Sequence, residues 1–159
     1  MQKSKFLKVM GILMIVFASL ALLTSVLCLI GAGAITVLNT TYPDLMDNVL
    51  SEFPELYQYS DIIIPSITAA VYELVILGLF GLAGSVCQLI GGISALKNHK
   101  RPDRVTACIV LSAVTIAITV LSRIALHAIG FDIATVIVPL LTIIAAATFK
   151  NNAPQNNPQ

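Results

Sequence analysis

Four ionisable residues lie within or beside long apolar segments: Glu73, Arg123, His127 and Asp132. Two carboxylates, a guanidinium and an imidazole at one level can hold a small charged ligand or relay a proton, because imidazole changes charge near neutral pH. Counted along a helix at 1.5 Å per residue, Arg123 lies about 28 Å from Arg104 and His127 about 34 Å, while Glu73 lies about 36 Å back from Lys97. The depths coincide. An unpaired charge at that depth in a membrane is costly, so the four are expected to cluster. Two readings follow: a proton- or ligand-responsive site with His127 titrating between Glu73 and Arg123, or half-solvated charges that tie helices together near a membrane face. The second is preferred, since it asks nothing more of these residues than the topology already does.

That topology is organised around one basic run, Lys97-Asn98-His99-Lys100-Arg101-Pro102-Asp103-Arg104. Lys97, Lys100, Arg101 and Arg104 hold it on the cytoplasmic side, so the apolar segments flanking it must leave and re-enter the membrane around it. Composition agrees: 57% hydrophobic and 11% charged residues and a mean hydropathy of +0.93 are far from the roughly one-quarter charged residues of soluble domains. Four spans are expected, about 9–38, 62–96, 105–128 and 133–149, with an outer loop 39–61, both termini inside and a disordered cytoplasmic tail 151–159. The fold class is therefore all-α, a polytopic membrane protein built as a four-transmembrane-helix bundle with a short amphipathic helix in its first extracytoplasmic loop. The first apolar run follows Lys3, Lys5 and Lys8, and Ala32-Gly33-Ala34 resembles a cleavage site. Its core is about twice the length of a signal-peptide h-region, which favours retention as a span.

The loop carries Asp44, Asp47, Glu52, Glu55 and Asp61 but no Lys or Arg, as an extracytoplasmic loop should. Leu45, Met46, Val49, Leu50 and Phe53 fall on one side of a helical wheel and the acids on the other, with Pro43 suited to the first turn and Pro54 to the end. This predicts a short amphipathic helix that can hold a partner. The acidic spacing matches no calcium loop. The first two spans exceed a hydrocarbon core of about 30 Å, so both are expected to project on the outer side.

Small and polar residues mark the packing faces. On the second span Gly81, Ser85, Gln88 and Gly92 share a face that lets another helix approach closely. Packing within one chain is preferred there to a homodimer seam. Cys108, Ser112, Thr115, Thr119, Ser122 and Arg123 form a stripe on the third span, where Ser and Thr hydroxyls can bond carbonyls of their own helix instead of lining a polar pathway. Thr135, Pro139, Thr142 and Ala146 mark the fourth. Cys28, Cys87 and Cys108 lie in apolar segments without a paired thiol or a nearby ligand set, so they read as small packing residues, and neither a metal nor a cofactor is expected.

The run from Gly91-Gly92-Ile93-Ser94-Ala95-Leu96-Lys97 to Pro102 and the ending Val138-Pro139-Leu140-Leu141 to Phe149-Lys150-Asn151-Asn152 resemble small four-helix membrane proteins of unknown function in Gram-positive bacteria. That resemblance implies a bacterial plasma membrane and carries over no functional residues. The layout is also similar to that of claudin-type tetraspan proteins, but the chain has no Trp and no Cys outside its helices, which departs from the claudin loop signature. No nucleophile–base pair, HExxH motif or phosphate-binding glycine loop is present, and no basic surface for nucleic acid beyond the topology run. The expectation is a non-enzymatic protein of the lipid bilayer acting through a membrane-protein partner or homo-oligomer, as accessory subunit, scaffold or immunity-type envelope factor. The alternative is a small oligomeric transporter or channel subunit using the charge cluster.

Overall fold

A computed structural model describes residues 5–126 and 133–152, and among these residues the secondary structure is helical, with no strand. The first helix, α1, spans Lys5–Thr41. It stops where Pro43 biases Tyr42 away from helical backbone. A turn through Pro43 and Asp44 leads into α2, Leu45–Ser51, whose first turn is fixed by Asn48 donating its amide to the Asp44 carbonyl at 2.9 Å. Pro54 begins a further short helix, α3, Pro54–Tyr57, since a missing amide costs nothing in a first helical turn. The loop therefore folds as two short helices where the sequence pattern predicts one, and Pro43 lies ahead of α2 rather than inside it.

The long helix α4 spans Ser60–Asn98. Its end is closed by His99, whose Nδ1 lies 2.6 Å from the Leu96 carbonyl oxygen, and by Arg101 donating its amide to Asn98 at 2.8 Å. Both bonds occupy carbonyls that a helix C-terminus would otherwise leave open. A single 3₁₀ turn, Pro102–Arg104, then enters α5, Thr106–Ala125. The last helix, α6, spans Ile133–Asn151 and continues through Pro139. Asn151 is thus helical, and Asn152 still donates to the Thr148 carbonyl at 3.0 Å. The rest of the expected tail, 153–159, lies outside the described residues. The helices α1, α4 and α5 are long and apolar enough to cross a membrane, and α6 has a shorter apolar run.

Contacts divide the chain into two units, Met1–Leu23 with Phe80–Gln159, and Thr24–Leu79. In the first, one core joins Leu7 and Met10 of α1, Ala95 of α4, Val105 and Cys108 at the start of α5, and Ala145, Ala146 and Phe149 of α6. The beginnings of α1 and α5 thus meet the ends of α4 and α6. Lys150 Nζ reaches Thr106 Oγ1 at 3.4 Å across the same end. Backbones come close where side chains are smallest. A Cβ on Gly92 would lie 2.9 Å from the Gly11 carbonyl oxygen, and one on Gly11 would lie 3.0 Å from that of Gly92. Outward, α1 and α4 expose Val9, Ile12, Val16, Leu20, Val86 and Ile90, a density of bare aliphatic surface that a soluble monomer does not carry.

The Thr24–Leu79 unit holds the later part of α1, both short helices and the beginning of α4. Its helices approach at Gly78, where a Cβ would lie 2.5 Å from Leu29 Cγ and 3.2 Å from the Ser25 carbonyl oxygen. Burial is sparse: Ser25, Ala32, Leu50 and Gly78 are enclosed, whereas Tyr42, Tyr57, Tyr59 and Tyr72 are all more than half exposed.

Candidate functional site

Within Thr24–Leu79, two helical stripes form the walls of a half-open cleft of about 520 Å³. On α1 the wall is Ile35, Leu38 and Asn39, with Thr36 beside them; on α4 it is Ile64, Ile67, Thr68 and Val71; Tyr42 and Leu45 complete the lining. The spacing of three and four residues puts each set on one side of its helix. Two stripes that pack too little side-chain volume between them leave a cleft, and this one is mostly apolar with a few polar groups, the usual character of a binding site. Thr36 donates its hydroxyl to Ala32 at 2.8 Å and Thr68 donates to Ile64 at 3.2 Å. Both hydroxyl protons are therefore spent on the helix, and what the threonine oxygens still present is acceptor capacity.

The charged residues of the unit that holds the cleft have one sign. Residues 24–79 contain Asp44, Asp47, Glu52, Glu55, Asp61 and Glu73 and no Lys or Arg. Asp44 lies in sequence between the lining residues Tyr42 and Leu45, and Asp61 is one turn ahead of Ile64 on the same side of α4. Both are exposed.

Leu45, Val49 and Phe53 are exposed, with Leu45 also lining the cleft, but Leu50 is buried and so holds the loop to the fold instead of facing a partner. Met46 is in α2, its side chain outside the described residues. Of the charge set, Glu73 is exposed on α4 and Arg123 half-buried near the end of α5, while His127 and Asp132 lie outside the described residues. Glu73 belongs to the Thr24–Leu79 unit and Arg123 to the other. Along the basic run, Lys97, Lys100, Arg101 and Arg104 are exposed.

The packing residues sit inside. Ser85, Gln88 and Gly92 are buried and Gly81 is half-buried; Ser85 donates to the Gly81 carbonyl at 2.6 Å. On α5, Cys108, Ser112 and Thr115 are enclosed, and Thr115, Thr119 and Ser122 donate to Leu111, Thr115 and Thr119 carbonyls of their own helix at 2.9, 3.0 and 2.8 Å. Ser112 Oγ contacts Met14 Sδ at 3.9 Å. Among the described residues, no buried side-chain polar atom lacks a partner. The polar groups of this interior are thus consumed in helix contacts. On α6, Thr142 and Ala146 are fully enclosed, Pro139 is buried and Thr135 half-buried, with Thr142 donating to Val138 at 2.8 Å.

Compared with family models, with curated proteins and with solved structures, the chain yields no match.

Proposed function

We propose that the chain is a four-span plasma-membrane protein with both termini in the cytoplasm, and that it acts by protein–protein interaction through the surface of residues 24–79. The basic residues Lys5, Lys8, Lys97, Arg104 and Lys150 fall at the helix ends whose neighbouring residues share one core, which supports an antiparallel bundle with a cytoplasmic basic end. From that end, Ile35 is about 40 Å along α1 from Lys8, and Val71 and Ile64 are about 39 and 50 Å along α4 from Lys97. Even at the mean tilt of roughly 20°, these heights pass the outer edge of a hydrocarbon core of about 30 Å. The exposed tyrosines suit that boundary, where amphipathic rings gather.

The observation that carries the proposal is an apolar cleft, with Val49 and Phe53 bare beside it in the chain, among residues that bear six acids and no base; on the topology proposed here, lipid chains do not reach it. Apolar surface in such a place is stabilised by a protein that covers it. The test is isolation of the chain from its own membrane in mild detergent or native nanodiscs, with mass spectrometry of what remains bound. A stoichiometric second protein, lost on Val49→Asp, is expected. A homo-oligomer carrying only a small molecule or ion would contradict the proposal.

A further inference from the structure

The cleft also restricts what can fill it. Resting on the interaction reading above, we infer that its occupant is a lysine-rich amphipathic helical segment of the partner protein, laid between the α1 and α4 walls with its apolar side inward. Three observations converge. The walls are two helical stripes, Ile35, Leu38 and Asn39 against Ile64, Ile67, Thr68 and Val71, a form suited to a helix that presents anchors three and four residues apart. The charge of residues 24–79 is entirely acidic, with Asp44 and Asp61 at the margins of the lining set, which complements lysines flanking an apolar stripe. Finally, the Thr36 and Thr68 hydroxyls are already donating to their own helix, so they offer acceptors to an ammonium group.

The same facts count against a phospholipid. An anionic phosphate would need a Lys or Arg nearby, and residues 24–79 have none. A bare acyl chain would gain nothing from the polar atoms of Thr36, Asn39, Tyr42 and Thr68.

The full-length chain in zwitterionic nanodiscs tests this by fluorescence anisotropy. The probe is a labelled Leu/Lys amphipathic peptide of about 18 residues, five helical turns, with empty discs as baseline and a Leu/Glu peptide of the same pattern as control. The Leu/Lys peptide should bind loaded discs at least about tenfold more tightly than empty ones, and the binding should weaken with added salt. Thr68→Trp fills the cleft and should return affinity to the empty-disc value. Ile67→Ala removes an anchor contact without adding bulk and should weaken binding about fivefold should Thr68→Trp misfold. Asp44→Asn with Asp61→Asn should cost about threefold and flatten the salt dependence. Equal binding of the Leu/Glu peptide, full binding by a folded Thr68→Trp or Ile67→Ala variant, or binding of a single-chain lipid in place of the peptide would each overturn the inference. The two failures are distinguishable: a native partner whose recovery ignores Thr68→Trp sustains the interaction reading and sinks this inference alone, whereas isolation with no native protein partner sinks both.

Discussion

The two units of this chain use the same apolar alphabet for different ends. In the unit of Met1–Leu23 and Phe80–Gln159, Gly11, Gly91 and Gly92 are pressed against neighbours and Ser85, Gln88, Ser112, Thr115 and Thr142 are buried. In Thr24–Leu79, Gly78 is pressed against Leu29 in the same way, but Gly31 and Gly33 meet nothing within 4 Å, and the tyrosines, Asp44, Asp61, Glu73, Val49 and Phe53 stay outside. Hydroxyls in the first unit serve the fold, because Ser85, Thr115 and Thr142 bond carbonyls of their own helices. Residues of the second are left over from the fold, and that surplus is what a partner can use. On the proposed function, the exposed apolar residues of the second unit, and not the buried polar residues of the first, are the ones to mutate.

Glycine substitutions probe the contrast most strongly. Gly92→Leu drives a side chain into the Gly11 carbonyl and Met14, and overpacking of that kind should destabilise the protein by about 3 kcal/mol or prevent folding. Gly31→Ala meets open space and should instead stabilise by up to about 1 kcal/mol through helix propensity. Denaturation by a titrated detergent, followed by circular dichroism, measures both. Equal losses at the two positions would erase the distinction between the packed seam at Gly92 and the open face at Gly31.

Smaller effects sharpen it. Gln88→Leu keeps the volume of a buried side chain and removes its polar group, a loss of about 1 kcal/mol in the same assay. Thr115→Val should shift stability by under about 0.5 kcal/mol, since its hydroxyl bonds only to Leu111 of its own helix. A large loss there would mean that the stripe does more than join helices. Phe53→Ser, at an exposed position in the other unit, should stay within about 0.5 kcal/mol of the parent while partner recovery falls.

Much of the helical layout was legible in the sequence, because hydropathy and proline punctuation act locally. The apolar runs expected at 62–96 and 105–128 became Ser60–Asn98 and Thr106–Ala125, and Pro43 and Pro54 bracket α2, the first of two short helices where one was expected. The face of Ser85, Gln88 and Gly92 was readable from spacing, but its partner Gly11 was not, since a lone glycine in an apolar run carries no periodic signal. The cleft was hidden for a related reason. Ile35 and Leu38 sit in a segment apolar on every side, so the wheel shows no stripe, and only the position of α4 reveals which side stays uncovered. Leu50 shows the reverse case: its place on the wheel matches Val49 and Phe53, yet it is buried where they are exposed.

Site-specific photo-crosslinking in the native membrane tests the central claim most directly. A photoreactive phenylalanine analogue replaces Phe53 in one strain and Val86, bare on α4 in the other unit, in a second. The account predicts a discrete protein adduct from position 53 and lipid adducts from position 86. Lipid adducts alone from position 53, or the same protein adduct from both positions, would contradict it.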